Sequence, residues 1–78
     1  MKELIEFIAT SLVDDPTQVK LTEVRRGSQI ILKLQVAKED MGRVIGKGGR
    51  VAGAMRQLLR VSSAQEGRRA TLNIIDPE

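Results

Sequence analysis

The sequence predicts a two-layer α/β (α+β) domain with elements in the order α-β-β-α-α-β. Three observations carry this. Residues 30–36 and 70–75 alternate apolar and polar positions at the strand period. Residues 2–13 and 50–64 place apolar side chains at helical spacing. A glycine-rich break, Val44-Ile45-Gly46-Lys47-Gly48-Gly49-Arg50, separates two helical patterns.

The first helix is expected over 2–13, with Leu4, Ile5, Ile8 and Leu12 on one face and Phe7 and Ala9 flanking. Glu3 and Glu6 in its first turn complement the helix dipole. Asp14-Asp15-Pro16 ends it, because a proline pushes the residue before it out of the α region. Val19 and Leu21 then alternate and Val24 breaks the phase, as a strand with a bulge would. Arg26-Gly27-Ser28-Gln29 is a turn. Ile30, Leu32, Leu34 and Val36 alternate with Ile31, Lys33 and Gln35, so the two strands are predicted to form a hairpin.

Residues 38–45 form a short helix and 50–64 a longer one. In the longer helix Val51, Met55, Leu58, Leu59 and Ser62 share one face, with Arg50, Arg56, Gln57 and Arg60 largely off it. Gly67 is a stop signal. Ala70, Leu72 and Ile74 alternate with Thr71, Asn73 and Ile75 as a last strand, which Pro77 ends. Each strand offers one apolar row and each helix one apolar stripe, so all three helices can pack on one face of a three-stranded sheet. Seventy-eight residues suit one domain, 1–78, near the lower limit of what folds alone. Its core must therefore be compact, or part of its apolar surface must be covered by a partner.

The formal charge is +3, and its distribution says more than its sum. Residues 1–15 carry Lys2 against Glu3, Glu6, Asp14 and Asp15, a net of −3. Residues 37–60 carry Lys38, Arg43, Lys47, Arg50, Arg56 and Arg60 against Glu39 and Asp40, a net of +4. A basic excess around a glycine turn suits nucleic acid; a solvated helix face is the plainer alternative. There is no cysteine and no histidine. Disulfides, thiolate nucleophiles and the usual zinc sites are thereby excluded. No apolar run approaches the roughly 18 residues that a membrane span needs. Met-Lys-Glu opens directly into an amphipathic pattern. The expectation is a soluble cytoplasmic protein that does not engage membranes.

Three glycine-rich devices compete for 42–50. A P-loop needs GxxxxGK[ST] after a strand. Here only three residues separate Gly42 from Gly46-Lys47, Gly48 replaces the metal-binding hydroxyl, and a helix precedes. A dinucleotide fingerprint needs GxGxxG after a strand, and Val51 occupies its third glycine position. The third device is the helix–GxxG–helix element of the KH domain, a loop that clamps the backbone of about four single-stranded nucleotides. Its context is present: a helix on each side and strands outside both. A tight helix–helix turn without a ligand remains the bland alternative, although it needs neither the extra glycines nor the flanking cations.

With an α-β hairpin before the core, the order resembles a type II, prokaryotic-type KH domain. Its length, and the block Asp40-Met41-Gly42-Arg43-Val44-Ile45-Gly46-Lys47-Gly48-Gly49-Arg50, resemble the small stand-alone bacterial KH proteins of the KhpA family. The resemblance covers essentially the whole chain and implies a three-stranded mixed sheet, with 38–64 as the nucleic-acid-binding element. It also implies single-stranded RNA as ligand, homodimers, a larger RNA-binding partner of the KhpB type, RNA chaperone activity and a link to cell elongation and division.

Gly46 and Gly49 are candidates for setting the turn, Lys47 for touching phosphate and Gly48 for presenting an amide. Arg50 and Arg43 either flank the RNA or line an exposed face. By resemblance, bases lie in an apolar groove near Val44, Ile45, Val51 and Ala54, with Ile31 and Leu32 from the adjoining strand. Gly53 and Ala54 are small enough to widen it. Phe7 is the only aromatic residue, so the stacking platforms of an RRM or OB-fold are lacking. One such domain should bind weakly, and a second linked domain would raise avidity. No cofactor is expected, and no nucleophile has a candidate base, so an enzyme is not. Asp14-Asp15 and Glu39-Asp40 read as caps or surface charge. The competing reading is a protein-interaction adaptor working through the helix–loop–helix face.

Overall fold

The structure, a computed structural model, describes residues 2–75. The elements are α1 (Lys2–Leu12), β1 (Lys20–Arg26), β2 (Gln29–Gln35), α2 (Met41–Ile45), α3 (Arg50–Gln65) and β3 (Arg69–Ile75). Short 3-10 turns occupy Pro16–Gln18, Lys38–Asp40 and Lys47–Gly49. The element order is the expected one. The stop assigned to Pro77 lies outside the described residues.

The sheet order is β1-β2-β3. β1 runs antiparallel to β2, with Leu21 opposite Leu34 and Arg26 opposite Gln29. β3 runs parallel to β2, with Ile30 beside Ala70 and Leu32 beside Leu72. The sheet is therefore mixed, as the resemblance implies, and matches a type II KH fold. The β2–β3 connection contains α2 and α3, as a parallel crossover requires.

Ile30, Leu32 and Leu34 of the central strand are buried beneath the helices, with Val36 just beyond it and Leu72 from β3. Ile5 and Ala9 of α1, Val44 of α2, and Met55 and Leu59 of α3 complete the core. Full burial of a side chain such as Leu59 or Met55 stabilises by about 1.5–3 kcal/mol.

Three local expectations need correcting. β1 pairs with β2 residue for residue and has no bulge. Val24 is out of phase because it lies opposite Ile31 on the outer face of the sheet. On α1 the buried line is Ile5–Ala9, one turn apart, while Leu4 and Phe7 are exposed. On α3 the buried line is Ala52, Met55, Leu59 and Ser63. Leu58 faces solvent, as does Val61. The buried stripes thus run through the small residues Ala9, Ala52 and Ser63 and leave the larger Leu4, Leu58 and Val61 outside.

The ends of the elements follow local chemistry. Asp15 sits at φ −120°, ψ 84°, outside the α region, as a residue before proline should. The end of α3 is a Schellman closure: Arg68 N–H donates to Ser63 O at 2.8 Å, and Gly67 N–H to Ala64 O at 3.1 Å.

Candidate nucleic-acid interface

Gly46 to Gly49 form the link between α2 and α3. Gly46 N–H donates to Gly42 O at 2.9 Å and closes α2; Gly49 N–H donates to Gly46 O at 3.1 Å and closes the turn. Gly46 has φ 78° and ψ 169°, a region essentially confined to glycine. A Cβ built there would lie 2.5 Å from Val51 Cγ2 and 2.8 Å from Val51 N. Gly46 is thus required by conformation and by contact, since the chain crosses directly against the first turn of α3. Gly48 (φ 64°) and Gly49 (φ 78°) share the positive φ but look into open space.

The start of α3 departs from what helix stability favours. Gly49 caps it in the left-handed conformation, with no side-chain cap bond and no acidic residue in the first turn. A helix start ordinarily gains from an oxygen-bearing cap and a nearby carboxylate, because its first amides lack partners and its dipole is positive there. This one has Lys47 and Arg50, both exposed. Among the described residues, the Lys47 and Gly48 amides make no backbone hydrogen bond across the turn. Cations and free donors therefore converge where the helix already carries partial positive charge. The matching ligand is an anion with several oxygens, such as a phosphodiester.

The remaining predicted residues divide. Ile45, at the end of α2, is 36% exposed and borders the loop. Val51 is half-buried over Gly46. Val44 is fully buried and supports the loop from the core. Arg43 is exposed but engaged: its Nη2 donates to Asp14 Oδ2 at 2.9 Å, and its Nε lies 3.4 Å from Asp40 Oδ1. Arg50, Gly53, Ala54, Gln57 and Leu58 line a shallow depression of about 540 Å³ beside the loop. Gly53 and Ala54, both exposed, contribute no side chain larger than a methyl to its lining. Ile31 and Leu32 do not border it: Leu32 is fully buried, and Ile31 lies on the opposite face of the sheet. β2 is the central strand, so the strand edge open beside α3 belongs to β3. There Arg56 Nε donates to Leu72 O at 3.3 Å.

Sequence reasoning missed Asp40. It is 2% exposed, and its carboxylate accepts from Asp14 N–H at 3.0 Å and Asp15 N–H at 3.2 Å. It joins the chain after α1 to the turn before α2, and so holds the helix that leads into the loop. Its neighbour Glu39 is exposed, so the adjacent pair is one surface charge and one buried tie.

Among the described residues, no helix is long and apolar enough to cross a membrane. The family model for the KhpA/KhpB KH domain matches residues 2–74. Among curated proteins, the RNA-binding protein KhpA of Clostridium acetobutylicum is 49% identical over 75 residues, covering 96% of this chain and all of the relative. That of Clostridium perfringens is 48% identical with the same coverage. That of Borreliella burgdorferi is 46% identical over 95% of this chain and 90% of the relative. Among solved structures, Aquifex aeolicus Era bound to GDP and AlF4− superposes with a TM-score of 0.59 at 24% identity. The match takes in 94% of this chain and 28% of Era, and bears on the fold alone. A family model spanning nearly the whole chain, and full-length relatives near half identity, place the chain in the KhpA/KhpB KH-domain family.

Proposed function

We propose that the chain acts as a single KH module, 1–78, that binds single-stranded RNA by clamping its backbone at Gly46-Lys47-Gly48-Gly49. The observation that carries this is the inverted start of α3, which has an uncapped dipole, no carboxylate, and Lys47 and Arg50 in place of the stabilising groups. Such a local departure from stability rules is characteristic of a functional site. Lys47 meets phosphate directly, Gly48 presents its amide and Arg50 flanks the strand. Ile45 borders the loop, while Val44 and Arg43 act from behind it by holding α2. Bases rest on the depression at Gly53 and Ala54. The relatives' name, RNA-binding protein KhpA, supports RNA as the ligand. A cytoplasmic location and a part in RNA chaperoning or post-transcriptional control, linked to cell elongation and division, follow from the family resemblance. No catalytic step is assigned.

A second reading has its own observation. Leu58 is 43% and Val61 55% exposed, on the outer face of α3 near Ala54. This face suits a second copy of the chain or a larger RNA-binding partner of the KhpB type, and pairing would supply the avidity that one aromatic-poor domain lacks. Sedimentation of wild type and Val61→Glu separates the two: if this face pairs copies, the dimer is lost in the variant while four-nucleotide RNA binding by each domain persists.

The clamp itself is tested by fluorescence anisotropy of short labelled RNA with wild type and the Lys47→Asp/Gly48→Asp variant, with circular dichroism as a folding control. Wild type should bind in a salt-dependent way, with a log–log slope near −0.7 per phosphate contacted, and the folded variant should not. Equal binding by both would remove the clamp.

A further inference from the structure

The helices cover one face of the sheet and leave the other bare. Ile30, Leu32 and Leu34 of β2 point under the helices, so Gln29, Ile31, Lys33 and Gln35 point away from them. Residues directly opposite one another on paired strands share a face. The register therefore lays the bare face out in rows. Arg26, Gln29 and Arg69 form the row at one end. Thr22, Lys33 and Asn73 form another row, four residues along, and Lys20 stands in the last. The half-buried Val24 and Ile31 fill the row between the first two.

Four of the twelve outward positions are cations, Lys20, Arg26, Lys33 and Arg69, all of them exposed, and none of the twelve is a carboxylate. Among the described residues, these four make no ion pair. The one acid of β1, Glu23, lies opposite Leu32 on the helix side and is held by Arg25 at 2.7 Å. Lys20 also borders a depression with Asp15 and Glu39 beyond the strand ends, so the unbalanced charge lies with Arg26, Lys33 and Arg69. A sheet face that needed only solubility would mix both signs. Lysines that guard against strand addition belong on edges, whereas Lys33 is on the central strand.

Spacing and chemistry choose the ligand. Arg26 and Arg69 are two strand spacings apart, about 10 Å, and Lys33 is four residues along, about 13 Å at 3.3 Å per residue. Cations so far apart meet separate phosphates rather than one. Neutral hydrogen-bonding groups stand among them: Gln29 between the two arginines, and Thr22 and Asn73 on either side of Lys33. No aromatic side chain lies on this face, so splayed bases would find no platform. An A-form RNA helix offers the match, a wide and shallow minor groove that displays 2′-hydroxyls between two phosphate backbones and is read by shape. We infer that the outer face of β1-β2-β3 docks double-stranded RNA, with Arg26, Lys33 and Arg69 on phosphates and Gln29 and Asn73 on 2′-hydroxyls. This goes beyond the clamp and does not depend on it, because α2, α3 and the turn between them lie in the other layer. One domain then holds an unpaired strand on one side and a neighbouring stem on the other.

The experiment is fluorescence anisotropy with a labelled blunt RNA duplex of about 16 base pairs, the span that a shape-reading domain covers, and a labelled single strand of about four nucleotides. Salt is set at about 50 and about 200 mM. The proteins are wild type, Arg26→Gln/Lys33→Gln and Lys47→Asp/Gly48→Asp. Arg26 and Lys33 are exposed and lie away from β3, and circular dichroism together with single-strand binding checks the fold. Three phosphate contacts at about 0.9 each give a duplex salt slope near −2.7, or about a fortyfold loss of affinity between the two salts. The glutamine variant should reduce the slope by about 1.8, shrink that loss about twelvefold, and bind the single strand as wild type does. Lys47→Asp/Gly48→Asp should lose the single strand and keep the duplex. The inference is overturned if wild type fails to bind the duplex, if the glutamine variant keeps the wild-type slope, or if Lys47→Asp/Gly48→Asp loses the duplex along with the single strand. None of these results touches the clamp, which falls if Lys47→Asp/Gly48→Asp binds the single strand as wild type does. A DNA duplex of the same sequence bound as tightly as the RNA would overturn the choice of an A-form ligand.

Discussion

Substituting Gly46 by alanine should be the most damaging single methyl addition in the glycine loop. Two costs combine. The backbone at φ 78°, ψ 169° is a region that only glycine enters freely, and holding alanine there costs about 1–3 kcal/mol. The new methyl would also sit 2.5 Å from Val51 Cγ2, 2.8 Å from Val51 N and 2.9 Å from Val51 Cβ. The nearest atom can move with a rotamer change, but the backbone nitrogen cannot, so the first turn of α3 must shift. Forced overpacking of this kind adds about 1–3 kcal/mol, for a total of about 2–6. A chain of 78 residues has about 4–12 kcal/mol in all, at 0.05–0.15 per residue. Gly48→Ala is the internal control: its φ is 64°, but nothing lies within 4 Å of the added Cβ, so only a left-handed cost of about 1–2 kcal/mol applies. Urea denaturation followed by circular dichroism reads the difference. With an m-value near 1 kcal/mol/M, Gly46→Ala should lower the midpoint by about 2 M or more, and Gly48→Ala by about half that or less. Equal shifts for the two variants would refute the role given to Val51, and no shift in either would refute the backbone argument as well.

Asp40→Ala removes the acceptor of the Asp14 and Asp15 amides, and should destabilise by about 1–3 kcal/mol for the donors left unpaired. Arg43→Gln loses an exposed pair with Asp14 and a longer 3.4 Å contact to the buried Asp40 carboxylate, which keeps its two amide donors, and should cost about 1 kcal/mol or less; urea midpoints that rank them in reverse would mean Arg43, not Asp40, is the tie. Glu3 titrates below its ordinary value of 4.5, chiefly because of backbone hydrogen bonding at the start of α1. Its stabilisation is therefore complete above 4.5 and lost as pH falls through the lowered value. Glu3→Gln should flatten this acid limb of a thermal-melting profile slightly and leave the neutral-pH stability difference independent of pH.

β2 and β3 were legible because their inward rows, Ile30, Leu32 and Leu34 and then Ala70, Leu72 and Ile74, are wholly apolar, while their outward rows mix Ile31 with Lys33 and Gln35 and Ile75 with Thr71 and Asn73. The loop was legible because glycine content and flanking cations are local properties. What stayed hidden depended on partners distant in sequence. Val24 looked out of phase because its apolar neighbour, Ile31, belongs to another strand and the outer face. The faces of α1 and α3 were turned because Ala9, Ala52 and Ser63 read as weak core signals, while in the fold all three are buried. Asp40 read as surface charge because its hydrogen-bond donors lie 25 and 26 residues earlier. Arg43 read as a free cation for the same reason. The groove was assigned to β2 because strand order is not written in alternation.

The mixed sheet sets an order of events for a chain being made. Hairpin partners in β1 and β2 lie 3 to 15 residues apart, from Arg26 with Gln29 to Lys20 with Gln35. Every β2–β3 pair is 40 residues apart, as in Ile30 with Ala70. Short closures come first, and distant ones wait for their entropy cost to be met. On a ribosome the hairpin is complete while β3 is still unmade, so β2 presents a vacant edge beside its apolar row, the kind of surface that invites wrong pairing. The glycine turn bears on this interval, because α2 and α3 must fold back across it before β3 can reach that edge. Pulse-labelled hydrogen exchange during refolding should show β1–β2 amides protected before those of β3; simultaneous protection of all three strands would mean the sheet forms in one step.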